Sequence, residues 1–449
     1  MSPEILWVGL FLVVGLACFD WRRAVKAALV LLVIEGAIRK WVLPGASDTI
    51  YFLKDFVLLG AYAGYLLDRD REPTRGMGHM RVILAVSATF VVLQAFNMRM
   101  NSLVVGIFGM KVYLFYVPLC FMLKSMFRSS NELETWLRRY LLLAAPVCLL
   151  GFVQFLSPPS SVLNIYATGD AVPISTFGVH GNPRITGTFS YISGHGIYVF
   201  ISLVFAIVLL RVRQSGIWRV LLVSVAVLIV GNTFMTGSRG PVLAEGLFLI
   251  GFLWLSGAAS VSQTRSSFAP ILVAGVLCLA ASIYWFDDAI SAFFERATTS
   301  DSLTERIADS YREPLRVLYE EDMFGFGTAS SHPGGAALRN RFNLSDADIA
   351  PPPAELEPVR VFFELGLVGF LAWYALRSYL LWTLWRTSKV VSSPLLRNLA
   401  LAAFLIHAIQ LSGSLVLNQT FAIYYWLTAG FIFLLPKLEV LLQFQETQP

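Results

Sequence analysis

The chain has 449 residues, of which 56% are hydrophobic and 14% charged, with a formal net charge of +5. A mean hydropathy of +0.67 excludes an ordinary water-soluble globule of this size, because so much apolar surface must face lipid. The basic balance does not point to nucleic acid either, since most basic residues fall in short loops between apolar blocks, where anionic lipid anchors them.

The apolar residues fall in blocks of about 17 to 25, the length a helix needs to cross roughly 30 Å of hydrocarbon. A β-barrel would show short alternating segments instead. The pattern predicts an all-α polytopic membrane protein with about 12–13 transmembrane helices. In chain order the blocks are 3–19, 24–38, 50–67, 81–96, 103–123, 137–156, 195–210, 218–234, 240–257, 268–286, 360–384, 395–416 and 420–441. The first has no basic residue before it and no small-residue cleavage site after it, and Asp20, Arg22 and Arg23 follow directly. It reads as a retained span and not as a signal peptide.

Basic residues collect on one side of this arrangement: Arg22, Arg23 and Lys26, then Arg69 to Arg81, Lys124 to Arg139, Arg211 to Arg219, Arg265, Arg386 to Arg397 and Lys437. The positive-inside rule makes that side the cytoplasm, with the amino terminus outside and the carboxyl terminus inside. The other side receives two large loops, 157–194 and 287–359, which are expected to be periplasmic if the membrane is a bacterial inner membrane. Residues 1–449 read as a single transmembrane domain, with no tandem repeat and no separate soluble domain.

The first loop opens on Pro158 and Pro159 and is rich in turn residues. In the second, Leu303, Ile307, Tyr311, Leu315 and Leu318 recur every three or four residues, which predicts an amphipathic helix over about 300–319 lying at the interface. Pro351, Pro352 and Pro353 then impose a stiff extended approach to the next span. Cys18, Cys120, Cys148 and Cys278 all sit within or at the ends of spans, so neither a loop disulfide nor a zinc cluster is expected.

Charges near a bilayer centre cost about 2.5–3.5 kcal/mol on insertion scales, so each one is informative. At the outer ends stand Arg39 and Lys40, Lys54 and Asp55, Arg184, Arg239 and Arg360. A single such arginine can snorkel to lipid phosphate. Several of them beside Gly, Ser and Thr at helix entrances instead suit a lipid-linked phosphate or pyrophosphate, since guanidinium forks and free backbone N–H groups both hold phosphate oxygens. For proton transfer the outer half offers His180, His195, His332, Glu355, Glu357 and Glu364. Glu364 lies one helical turn below Arg360, so the two can share a face as an internal pair or a catalytic one.

Glu245 falls roughly 9 Å deeper than Arg239 along a helix axis and either takes a proton or pairs with a polar neighbour. His407, Gln410 and Asn418 accompany the twelfth span, where a lone His is more often a hydrogen-bonded core residue than a ligand; Lys111 is similarly open. There is no phosphate loop and no metal-site spacing, so no metal and no other cofactor is expected.

The stretches RITGTFSYISGHG, TGSRGP, FGFGTAS and ELGLVGF, in that order and on one side, together resemble the O-antigen polymerase and ligase superfamily. EGAIRKWVLP followed by FLKD looks like its exopolysaccharide polymerase branch. The resemblance implies a GT-C-like membrane glycosyltransferase that moves a glycan from undecaprenyl pyrophosphate to an acceptor hydroxyl with inversion and without metal. It implies that Arg184 and Arg239 hold the donor pyrophosphate, and Arg360 joins them as a further pyrophosphate candidate. Ligases of the superfamily carry a His about nine residues before the Glu of the ELG motif. Glu355 stands there in this chain, which favours a polymerase and moves the base to Glu355, or to Glu357, with Glu364 the third catalytic candidate. The expected partners are the lipid-linked oligosaccharide, membrane lipid and other polysaccharide assembly proteins. A ligase transferring to lipid A-core, a lipid-linked sugar flippase and a non-catalytic assembly subunit are the alternatives.

Overall fold

The computed structural model describes residues 3–69, 78–167, 174–177, 181–257, 308, 312, 323–347, 354 and 356–447. The expected tenth span, all of the expected amphipathic helix over 300–319 except residues 308 and 312, the three prolines 351–353, His180 and Glu355 lie outside them. The described chain is α-helical almost throughout, and nine stretches of it are long and apolar enough to cross a membrane. It is the all-α polytopic architecture that the apolar blocks require, because a helix satisfies its own backbone in lipid.

The first group of helices is α1 (Pro3–Phe19), α2 (Trp21–Ala37), the short α3 (Ser47–Tyr51), α4 (Leu53–Leu67), α5 (Gly78–Ala95), α6 (Leu103–Leu114) and α7 (Pro118–Met126). Helices α1 and α4 touch backbone to backbone because Gly60 and Gly64, four residues apart, face Val14 and Cys18; a Cβ at either would overlap those carbonyls. The expected fifth span is divided between α6 and α7, where Pro118 lacks the N–H that would continue the ladder.

Next come α8 (Ser130–Leu141), α9 (Ala144–Leu156), a two-residue ribbon of β1 (Thr176–Phe177) against β2 (Asn182–Pro183), α10 (Ile192–Leu210), α11 (Gly216–Met235) and α12 (Arg239–Gly257). Helix α10 is central: it packs on α8, α11 and α12, and every residue from Tyr198 to Leu209 is buried. Phe11, Leu16, Ile217, Ile250 and Trp254, in contrast, are exposed on outward faces, where lipid covers them.

The last group is α13 (Pro333–Phe342), α14 (Glu357–Val390), α15 (Pro394–Ile409), α16 (Gln419–Ala429) and α17 (Phe431–Thr447). Helix α14 is two helices joined at Gly366, whose φ of 69° and ψ of −179° are not helical. The expected span 395–416 stops at Ile409, and 410–418 is irregular, because its polar backbone groups are taken by other elements. The Gln410 carbonyl accepts from Arg377 Nη2 at 2.6 Å, and the Val416 N–H donates to Glu357 at 2.7 Å.

Contacts sort the helix ends into two sets. One end joins Arg22 to Asp68, Lys26 to Glu132, Arg138 to Glu134 and Lys437 to the Lys124 carbonyl. The other end, called the loop end below, joins residues 186–190 to α2 and residues 323–332 to α5 and α14.

Candidate functional site

A cavity of about 800 Å³ opens at the loop end between α10, α12 and the irregular segment 410–418. Its upper wall carries Arg184, Ser193, Ser238 and Arg239, facing Gln410, Ser412, Ser414 and Asn418; below them lie Ile197, Phe200, Leu243 and Leu247. Thus two of the arginines singled out in the sequence meet in one space, although 54 residues separate Arg184 from Ser238, which its Nη2 reaches at 2.5 Å.

Local structure explains the meeting. Helix α11 ends at Met235 and the chain reverses through Gly237, at φ +60°, under the ring of Phe177. A turn of this hand admits glycine without strain. The Arg184 Nε donates to the carbonyl of the buried Thr236 at 2.9 Å, and the Ser238 N–H is satisfied by Thr236 Oγ1 at 3.1 Å. Arg239 begins α12 and is half-buried. The positive dipole end of α12 therefore lies at the same wall as the two guanidinium groups.

A cationic rim above an apolar floor binds an anionic headgroup attached to a hydrocarbon tail. The lining residues named above include no carboxylate.

Of the carboxylate candidates Glu357 and Glu364 are described, and neither lines this cavity. Glu357 is buried in the first turn of α14, where its carboxylate accepts from the Val416 N–H and so holds the cavity wall. Glu364 is fully buried and accepts from Tyr113 Oη at 2.9 Å and Ser331 Oγ at 2.8 Å. Arg360 donates to the Ser331 carbonyl, and to the Ala354 carbonyl at 2.5 Å. Arg360 and Glu364 thus share a face as their spacing predicts, and they meet through Ser331. His332 caps α13, its Nδ1 accepting from the Gly334 N–H at 2.8 Å. Burial first, then Arg360 and Lys111, push the His332 imidazole down to about 3, so it is neutral.

The other residues singled out have partners of their own. Glu245 accepts from Thr233 Oγ1 at 2.7 Å, and His407 Nε2 lies 3.2 Å from Thr428 Oγ1. His195 Nε2 lies 3.3 Å from Asn232 Oδ1. Lys54 pairs with Glu35 at 2.7 Å and Lys111 with Asp55 at 2.8 Å, around the ring of Tyr51. Among the described residues no three His, Cys, Asp or Glu side chains are grouped to hold a metal ion.

Sequence reasoning passed over Arg377, Gln154 and Ser331. Arg377, almost fully buried, holds the Gln410 carbonyl from inside the eleventh block, where the rarity of intramembrane charge was the available signal. Gln154, a neutral amide near the end of the sixth block, offered only the weaker signal of a polar side chain in an apolar run. Ser331 carried none, since its role depends on two residues about thirty positions away.

Residues 224–374 match the family described as O-antigen ligase, a stretch that contains Arg239, Arg360, Glu364 and the turn beneath Arg184. This supports the O-antigen polymerase and ligase superfamily to which the motifs point, and with it a membrane protein of polysaccharide biosynthesis, glycosyltransferase-like and acting on lipid-linked polysaccharide. No curated protein and no solved structure matches the chain.

Proposed function

We propose that the protein is a polysaccharide polymerase that transfers a glycan from undecaprenyl pyrophosphate to a sugar hydroxyl at the periplasmic face of the bacterial inner membrane. The observation that carries the reading is the cavity in which Arg184, Arg239 and the first turn of α12 stand above an apolar floor. The pyrophosphate rests against the two guanidinium groups, the prenyl chain runs down past Ile197 and Leu243 toward lipid, and the glycan extends toward the loops. By the positive-inside count the amino terminus is periplasmic and the carboxyl terminus cytoplasmic.

The acceptor oxygen attacks the anomeric carbon while the bond to pyrophosphate breaks, and the leaving group departs with the electron pair. Arg184 and Arg239 act at this point, because charge grows on the pyrophosphate as it leaves and the fixed cations are strongest in a water-poor site. The hydroxyl proton passes to a carboxylate. Glu355 is the proposed acceptor of that proton; the hydrogen bonds of Glu357 and Glu364 suit them to hold the wall at Val416 and the segment around Ser331. Arg360 braces the same segment through Ser331 and Ala354, at one remove from the pyrophosphate.

A ligase that delivers the glycan to lipid A-core is the second reading, favoured by the description of the matched family. Reconstitution with undecaprenyl-pyrophosphate oligosaccharide separates the readings. Chain extension by the wild-type protein, lost in Arg184→Ala and Arg239→Ala while both still insert, is the expected result. Transfer to lipid A-core without extension favours the ligase, and wild-type product from both variants refutes the site.

A further inference from the structure

The structure assigns Lys40 the role of positioning residue for Arg184, acting from the end of α2 through the Thr186 hydroxyl and the Gly187 carbonyl; the assignment rests on the proposed donor site. It gives a place to the EGAIRK stretch, which lies outside the matched family region and outside the cavity.

Residues 184–190 form no helix, and Gly187 has φ +52°, so their backbone groups must be satisfied by other elements. Helix α2 and Gln154 supply them. The last turn of α2 widens into a π-helical turn, Ile38–Val42, which aims Lys40 across the loop. The Lys40 Nζ donates to the Gly187 carbonyl at 2.7 Å and to Thr186 Oγ1 at 3.0 Å. Gln154 completes the frame: its Oε1 accepts from the Gly187 N–H at 2.8 Å and the Thr186 N–H at 3.2 Å, and its Nε2 donates to the Gly187 carbonyl. Gly36 lies so close that a Cβ would strike the backbone of Thr188 and Ser190.

Beyond this frame, the Ile185 N–H donates to the Met235 carbonyl at 3.3 Å, and Arg184 then reaches Thr236 and Ser238 at the cavity rim. The guanidinium direction is therefore set by a clamp with Lys40 on one side and the α11–α12 turn on the other. Lys40 and Gln154 are buried, and both Lys40 hydrogen bonds given above go to neutral oxygens. An ammonium sequestered in this way is costly to bury, and its return is a fixed loop conformation.

A double-mutant cycle on the full chain in nanodiscs tests the assignment, with undecaprenyl pyrophosphate as probe and undecaprenol as its uncharged control. Wild type should prefer the pyrophosphate, and Arg184→Ala should lose that preference; if either fails, the donor-site reading itself falls. Given both, Lys40→Met should weaken pyrophosphate binding roughly tenfold without changing undecaprenol binding, and Lys40→Arg should recover most of it. In the Arg184→Ala background Lys40→Met should add nothing, because it acts through Arg184. Wild-type affinity in Lys40→Met, or an equal tenfold loss with and without Arg184, overturns the assignment. Should Lys40→Met fail to insert, Gln154→Ala carries the same cycle, since it removes the other half of the frame, and the same two outcomes decide.

Discussion

Replacing Gly366 by alanine perturbs the one residue at which α14 changes direction. Its φ of 69° and ψ of −179° lie in a region that side chains other than glycine's hardly enter, at a cost of about 1–3 kcal/mol. The added Cβ would also stand 2.5 Å from the Met323 carbonyl oxygen and 2.7 Å from the Phe324 carbonyl carbon. That strand of backbone must then move, which endangers the Leu367 N–H bond to the Met323 carbonyl at 2.9 Å and the Phe326 N–H bond to the Phe363 carbonyl at 2.7 Å. At about 1 kcal/mol for each hydrogen bond, the whole penalty is about 3–5 kcal/mol, or roughly two to four orders of magnitude in the folding equilibrium. Denaturant titration of the purified protein in micelles, followed by tryptophan fluorescence, reads the shift. Glu357 is on the first half of α14 and Arg377 on the second, and both hold the 410–418 wall, so donor affinity should fall with stability. A Gly366→Ala protein that unfolds and binds like wild type would refute the reasoning about this break.

Glu357→Gln keeps an oxygen for the Val416 N–H and should leave turnover within a few-fold, whereas Glu357→Ala should raise the apparent KM about tenfold or more by orphaning that donor. Abolished kcat in Glu357→Gln would instead make this carboxylate the base. His332 stays neutral from about pH 4 upward, so the pH–rate profile should contain no inflection from it, and His332→Asn, which can still cap α13, should reproduce the wild-type profile. Burial pushes Lys40 down to about 7, while the unfolded chain keeps it near about 10.4. Between these values the unfolded state binds more protons, so stability should rise with pH across that window in wild type and lose that component in Lys40→Met, read by thermal unfolding at fixed ionic strength.

The span pattern was legible because lipid penalises every polar group, so a run of apolar residues long enough to cross must be a helix. Breaks inside the runs were harder to read. Pro118 and the polar residues of 410–418 lie inside or at the edge of expected spans whose apolar blocks hid the breaks, Gly366 sits in an apolar run, and it is Met323, Glu357 and Arg377 from elsewhere that hold the last two open. The arginines at the cavity were legible for the opposite reason. A cation at an outer helix end beside Gly and Ser is out of place by composition, so Arg184 and Arg239 stood out before any contact was known.

The sequence alone therefore determined that this is an all-α polytopic membrane protein and which residues are too costly to be incidental; of the thirteen expected blocks, nine fall in described stretches long and apolar enough to cross. Tertiary structure decided that Arg184 and Arg239 share one cavity, that Glu357, Arg360 and Glu364 brace the segments around it, and that Lys40 reaches the backbone beside Arg184 from the end of α2. The reason is physical. Transfer from water to lipid is a property of each segment by itself, whereas a hydrogen bond between residues 40 and 187 depends on how a helix end and a distant non-helical segment pack.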